Sequence, residues 1–273
     1  MKSNKFKILV LSDLKKHANS VVTSAISLSK MLDTEVDLFY VKKPTEVIAT
    51  DSQLSAIRSL NHEQNLLRNK IQETIKPLIK SYGVHITSNF RIGHLKSEIE
   101  AYIKATKPDI IVLGKRNSKL IKLTRDHIAD FVLKIHEGPV VIISGEPGLV
   151  PENDVHIGLL NGKSQGFNQV LTEDLKTKTS GDLKTFNIVK SIDKSEEMNT
   201  IDVNKTIDFV FEKNDNTIKN LSNYLEKNQV NLLLVNRADN ADLTSNNTSD
   251  IKNVINNLKV SLFITGSTQK QVV

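Results

Sequence analysis

A cluster of basic residues after Gly114 is the part of this sequence best suited to hold an anion. Ammonium and guanidinium groups pair readily with phosphate or carboxylate oxygens, so a loop that gathers several of them is a candidate anion site. A solvated basic loop is the other interpretation, because nothing in the sequence fixes the geometry of these side chains. The cluster consists of Lys115, Arg116, Lys119, Lys122 and Arg125.

The stretch Gly158-Leu-Leu-Asn-Gly-Lys-Ser164 has the composition of a phosphate-binding loop without its spacing. That loop needs four residues between its first glycine and the Gly-Lys pair, and here there are three. We therefore interpret the glycines as a strand-to-helix turn and Lys163 as a surface lysine.

Residues for other chemistry are missing or badly spaced. The chain has no cysteine, and its seven histidines form no His-x-x-x-His pair, so we expect no metal site. There is no Gly-x-Ser-x-Gly elbow for a serine nucleophile. His127 lies beside Asp126 and Asp130, and we interpret this group as a polar helix N-terminus rather than an acid–base pair. We do not expect an enzyme.

The first half of the chain alternates short apolar runs with segments of helical periodicity, which is typical of an open parallel sheet covered on both faces. Pro77 is expected to break the long second helix near its end. The predicted strands are 7–13, 35–41, 84–91, 108–114 and 139–144, and the predicted helices are 21–32, 51–82, 95–106 and 128–136.

The second half repeats this plan, and self-similarity at a fixed offset indicates a duplication. Residues 102–114 align without a gap with residues 224–236, so Gly114 corresponds to Asn236. We predict two α/β domains, 1–148 and 149–273, built as two tandem open five-stranded parallel sheets with helices on both faces. Further matches are 139–145 with 260–266 and 8–13 with 156–161, and strands are predicted at 185–189 and 207–211.

Charge is distributed unevenly between the halves. Residues 1–150 hold 23 Lys+Arg against 15 Asp+Glu, whereas residues 151–273 hold 14 against 16. The basic half has few aromatic residues and no RNA-binding signature, so we expect no nucleic-acid partner. The apolar run that ends at Asp13 is too short for a signal peptide, and no other run is long enough for a bilayer. We therefore expect a cytoplasmic protein without a membrane partner.

The strand Ile8-Leu-Val-Leu-Ser-Asp13 resembles the first strand of the universal stress proteins, which reads like Ile-Leu-Val-Pro-x-Asp. Residues 128–136 and 138–143 are similar to the last helix and strand of that family. The resemblance covers the whole first half and is looser in the second. It implies a Rossmann-like fold of the adenine nucleotide alpha hydrolase type, whose domains associate through the fifth strand. On that basis we expect 140–143 to pair with 262–264 within the chain.

The phosphate-binding loop of this family is altered here. Nucleotide-binding members carry a glycine after strand four, another three residues later, and nine residues further a glycine followed by serine or threonine, where backbone N–H groups meet phosphate. The first position is Gly114, but the second is Asn117. The last pair falls on His127 and Ile128, or on Asp126 and His127 if the loop is one residue shorter. Neither alignment keeps the glycine and the hydroxyl.

Two carboxylates bear on this loop. Asp126 at the start of the last helix would accept the N–H bonds that a phosphate needs, and would repel the phosphate. Asp13, which the resemblance places in the nucleotide pocket, either faces a ligand or caps the turn that follows its strand. In the second half, residues 236–251 contain no glycine at all.

These departures lead us to expect a non-catalytic stress-response or regulatory protein that does not bind ATP in the family manner. Its expected partners are other proteins, or further copies of the chain through edge strands. The alternative is a nucleotide-binding protein with an altered pocket for ATP, AMP or adenosine in the first half. That pocket would use Asp13, Gly114, Arg116, Asn117, Asp126 and His127.

Overall fold

The computed structural model of the chain describes residues 6–15, 17–43, 53–115, 128–145, 148–161, 175, 183–189, 206–237 and 254–265. Its strands are β1 (Lys7–Leu11), β2 (Glu35–Lys42), β3 (Ile86–Ile92), β4 (Ile110–Gly114), β5 (Val140–Ile143), β6 (Ile157–Leu160), β7 (Leu183–Val189), β8 (Thr206–Glu212), β9 (Leu232–Val235) and β10 (Ser261–Ile264). Its helices are α1 (Ala18–Leu32), α2 (Gln53–Tyr82), α3 (Leu95–Thr106), α4 (Ile128–Ile135) and α5 (Thr217–Lys227), with a helical turn at 254–257.

The ten strands form one sheet in the order β3-β2-β1-β4-β5-β10-β9-β6-β7-β8. Each half, β1–β5 and β6–β10, has the same internal order, with its first and fourth strands side by side. All pairs are parallel except β5 with β10. The predicted α/β class is confirmed, and the two five-stranded units form a single continuous sheet. The predicted domain boundary stays a prediction.

The predicted pairing of the two fifth strands is confirmed. Ile142 lies opposite Leu262 and Val141 opposite Phe263 in an antiparallel register. The N–H of Ser144 also donates to Oγ of Ser261 over 3.2 Å. Both strands therefore satisfy their edge backbone groups within the chain.

Apolar residues on both sides of the strands bury the sheet between two layers. In β1, Ile8 and Val10 point to one core while Leu9 points to the other, and all three are buried. Helices α1 and α2 cover the first core, and α3, α4, α5 and the turn at 254–257 cover the second. Both cores include residues of each half, so they continue across the junction. None of the described helices is long and apolar enough to cross a bilayer.

Helix α2 continues through Pro77 to Tyr82, so the predicted break at this proline is wrong. Proline removes one helical hydrogen bond and crowds the preceding turn. Pro77 lies on the exposed side, where water can bind the released carbonyl group. On the other side, Ile75 before it and Ile79 after it both pack against the first core and hold the helix in place.

Tyr102 of α3 is held against the sheet by stacking and by hydrogen bonds. Its ring lies parallel to that of Phe39, with centroids 3.9 Å apart. Its hydroxyl donates to Oδ2 of Asp37 over 2.6 Å and accepts from Nδ2 of Asn89 over 2.8 Å. Burial, followed by the hydrogen bond to the Asp37 carboxylate, raises the pKa of Tyr102 above its ordinary value. The counterpart Tyr224 instead meets Phe211 edge-on at 5.3 Å and is 44% exposed.

Ionisation of the Tyr102 phenol should lower the stability of the folded protein in strong alkali. Its pKa is higher in the folded than in the unfolded chain, so the unfolded chain releases this proton first, at about pH 10. The stability that the protonated phenol provides is therefore complete below that pH and is lost as the pH rises through the folded pKa. Urea unfolding at about pH 8 and about pH 11 should show a steeper loss in the wild type than in Tyr102→Phe. Equal losses in the two proteins would contradict this assignment.

Candidate functional site

A cleft of about 210 Å³ lies at the carboxyl ends of β4 and β5, beside the start of α1, the helix that follows β1. The chain leaves β1 toward β2 on one side, while β4 flanks β1 on the other. In open parallel sheets, ligand-binding crevices form at such points of reversed strand order. The cleft is lined by His17, Ser20, Val21, Gly114, Lys115, Ile143 and Gly145.

Asp13 caps the turn that follows β1, which is the second of its two predicted roles. Its Oδ1 accepts the N–H of Lys15 over 3.0 Å. Oγ of Ser12 accepts the N–H of Leu14 over 3.1 Å, and Leu14 has a positive φ of 51°. These short-range bonds hold a tight left-handed turn between β1 and α1. Asp13 is not among the residues that line the cleft.

Gly114 ends β4 and borders the cleft, and its role in nucleotide binding stays a prediction. A Cβ atom at this position would lie 2.8 Å from Cγ2 of Val21, closer than carbon atoms pack. The glycine therefore lets α1 approach the end of β4. This packing role accounts for a glycine here without any ligand.

Lys115 contacts the second half of the chain. Its N–H donates to the carbonyl of Ile143 over 2.7 Å. Its Nζ donates to the carbonyl of Leu258 over 2.6 Å and to that of Asn256 over 3.1 Å. Burial lowers the pKa of this ammonium group from its ordinary value. The ammonium group of Lys115 is therefore held by carbonyl groups of the second half, and the two interpretations of the basic cluster stay predictions.

The remaining predicted site residues lie outside the described part of the chain. The structure thus places Gly114 and Lys115 at the cleft and Asp13 at a neighbouring turn, and it tests no other member of the predicted pocket. The residues outside it are Arg116, Asn117, Asp126 and His127, together with Lys119, Lys122 and Arg125 of the basic cluster.

Sequence reasoning missed the wall that α1 contributes to the cleft. Oγ of Ser20 donates to the carbonyl of Gly145 over 3.1 Å. Oγ of Ser24 donates to the carbonyl of Ser20 over 2.7 Å and accepts the N–H of Leu149 over 2.9 Å. Gly145 and Leu149, which follow β5, are therefore docked on α1. The available signal was a pair of serines four residues apart on the apolar face of this helix.

The corresponding positions of the second half are occupied by amide side chains. Asn236, the counterpart of Gly114, is only 2% exposed, and its Oδ1 accepts from Oγ1 of Thr265 over 3.3 Å. Asn161, the counterpart of Asp13, accepts the N–H of Ile188 at its Oδ1 over 2.7 Å. A buried amide side chain thus stands in this half where the first half has Gly114, against which Val21 packs.

Comparisons with known proteins agree with this architecture. The family model described as the universal stress protein family matches residues 6–144. A universal stress protein from Archaeoglobus fulgidus DSM 4304 is similar in structure, with 16% identity, a TM-score of 0.67 and coverage of 96% of this chain and 97% of that chain. A protein of unknown function from Pseudomonas aeruginosa PAO1 is 13% identical, with a TM-score of 0.57 and coverage of 96% and 92%. No curated protein matches the sequence.

Proposed function

Because the chain belongs to the universal stress protein family, we propose that it is a non-catalytic regulatory protein of the stress response that does not hold ATP in the manner of the family's glycine loop. The observation that carries this proposal is the position of Lys115. Its ammonium group is bonded to carbonyl oxygens of the second half, at 2.6 Å and 3.1 Å, so these bonds must break before it can bind an anion in the cleft that it borders. We place its action in the cytoplasm.

The size of the cleft supports the same proposal. Pockets that bury a cofactor-sized ligand usually enclose roughly 300–1,000 Å³. The cleft measures about 210 Å³. The altered loop sequence adds to this argument, since Asn117 replaces a glycine and Asp126 would cap the helix that receives phosphate in the family.

The outer strands of the sheet are the surfaces we assign to protein partners. Strands β5 and β10 are joined to each other, so self-association through them would require the halves to separate. In the described sheet β3 and β8 are the outermost strands. Strand β8 exposes the apolar side chains of Ile207 and Val210, each by 44%. Binding of other proteins or of further copies would therefore involve these edges.

A thermal-shift titration with ATP, ADP, AMP and adenosine tests the proposal. A ligand that binds only the folded state stabilises it by about 2.7 kcal/mol at a hundredfold excess over its dissociation constant. We expect no saturable increase in Tm with ATP or ADP, beyond the effect of sodium tripolyphosphate at the same ionic strength. A saturable increase with ATP would contradict the proposal.

The cleft itself favours a second candidate function, the binding of AMP or adenosine in an altered pocket. It lies at the strand-order reversal and offers the polar groups of His17, Ser20 and Gly145. If this candidate is correct, AMP or adenosine raises Tm, and His17→Ala removes the increase. His62→Ala is the matched control, because this histidine is exposed on α2 away from the cleft. An increase that survives His17→Ala would place the ligand elsewhere.

A further inference from the structure

Two basic residues occupy equivalent positions in the two halves. The gapless alignment of residues 102–114 with 224–236 continues to the next residue of each segment, Lys115 and Arg237. Lys115 directly follows Gly114, and Arg237 directly follows the aligned residue Asn236. Lys115 follows β4, and Arg237 lies two residues after β9. Both side chains are partly buried, and burial lowers the pKa of each from its ordinary value.

Each of these residues bonds to the other half of the protein. Arg237 donates from Nη1 to the carbonyls of His136 over 2.9 Å and Leu133 over 3.3 Å, and from Nη2 to that of Gly138 over 3.3 Å. These carbonyls lie at the C-terminal end of α4. Lys115 in turn donates to the carbonyls at the end of the helical turn 254–257. A helix C-terminus carries partial negative charge and unpaired carbonyls, which a cation satisfies.

The strand pairing between the halves has the same reciprocity. Val141 pairs with Phe263, and Ile142 pairs with Leu262. In the alignment of 139–145 with 260–266, Val141 corresponds to Leu262 and Ile142 corresponds to Phe263. Exchanging the two halves therefore converts one residue pair into the other. The two cation contacts therefore flank a local two-fold axis, one on each side of the β5–β10 ladder.

We propose that Lys115 and Arg237 form a reciprocal lock between the two halves, and that the lock opens first on the Lys115 side. The contact at Arg237 uses a planar fork with three carbonyl acceptors, whereas that at Lys115 uses one rotatable ammonium group with two. Arg237 also follows the buried Asn236, while Lys115 borders the cleft, where water can replace its carbonyl partners.

Opening on this side would connect the cleft with the second half. When Nζ of Lys115 leaves the carbonyls of Asn256 and Leu258, the end of the turn 254–257 loses its cap. The same movement turns the ammonium group toward the cleft that Gly114 and Ser20 line. Opening of the lock at Lys115 thus changes the first-half cleft and the end of the turn 254–257 in one conformational step. This coupling does not depend on whether the cleft binds a nucleotide.

Hydrogen exchange of the full-length protein tests the lock and its order of opening. Lys115→Met should speed amide exchange in residues 254–260 by about tenfold, the equivalent of one charge-assisted hydrogen bond, and leave 132–138 unchanged. Arg237→Met should speed exchange in both segments, because the second contact opens only with the whole junction. Lys76→Met, at an exposed position on α2, is the control for loss of a positive charge.

Three results would overturn the proposal. The lock is refuted if Lys115→Met exchanges at 254–260 like Lys76→Met. The order of opening is refuted if Lys115→Met speeds both segments equally, or if Arg237→Met affects 132–138 alone. If Arg237→Met fails to fold, Arg237→Lys replaces it, because lysine keeps the positive charge but lacks the planar fork. Arg237→Lys should speed exchange in the same two segments, by a smaller factor than Arg237→Met.

Discussion

Replacing Phe263 by alanine should lower the free energy of unfolding by about 3–5 kcal/mol, the usual cost of emptying a buried phenylalanine site. Phe263 is 2% exposed, lies opposite Val141 across the β5–β10 junction, and belongs to the core that also contains Ile8 and Val22. The cavity therefore opens where the cores of the two halves meet. We expect both halves to lose stability together, in one cooperative transition.

Urea unfolding followed by circular dichroism, with hydrogen exchange of segments in β1 and β6, measures this result. Phe90→Ala is the matched control, because Phe90 packs against the same core from β3, at the far end of the sheet, and is only partly buried. It should cost less and affect mainly the first half. If Phe263→Ala accelerated exchange in β6 and left β1 unchanged, the halves would be independent folding units.

Gly148→Ala should destabilise the protein through two separate effects. Gly148 has a φ of +77°, so any side chain costs about 1–2 kcal/mol in backbone strain. The new Cβ would also lie 2.5 Å from Oγ of Ser24 and 2.7 Å from Oγ of Ser20. Both hydroxyls hold the segment after β5 on α1, so this crowding should add about 1–3 kcal/mol.

Gly83→Ala separates these effects, since Gly83 has a similar φ of +64° but nothing within 4 Å of its missing Cβ. It should show the backbone cost alone in the same urea experiment. Equal losses for the two variants would mean that Ser20 and Ser24 yield without cost, and that the docking of this segment on α1 is loose.

The strands of the first half were predictable because short runs of apolar residues in the sequence indicate that they are buried. Ile8, Leu9 and Val10 are consecutive apolar residues, and such a run fits only a strand covered on both faces. The strands of the second half were predictable from its alignment with the first, and the pairing of 140–143 with 262–264 from the family resemblance, whereas the register that places Val141 opposite Phe263 was not predicted.

The roles of Lys115 and Arg237 were not predictable in this way. Lys115 bonds to a carbonyl 143 residues away, and Arg237 to one 101 residues away. Every residue type has a backbone carbonyl, so the sequence does not indicate which carbonyl accepts such a bond. A basic residue at a strand end is therefore interpreted as an anion ligand or a surface charge. The same limit applies to Pro77, whose tolerance depends on tertiary packing on either side of it.

The β5–β10 ladder at the junction consists of three residue pairs, and the cores on both faces of the sheet continue across it. The chain joins β5 to β6 through residues 144–156, so the halves meet at a local concentration on the order of millimolar or higher. Dilution therefore does not weaken their pairing, as it would for two separate domains. Because the two halves are covalently joined, the second half does not have to bind the first by affinity alone. The surface and loops of the second half can therefore change in sequence while the ten-stranded sheet is kept.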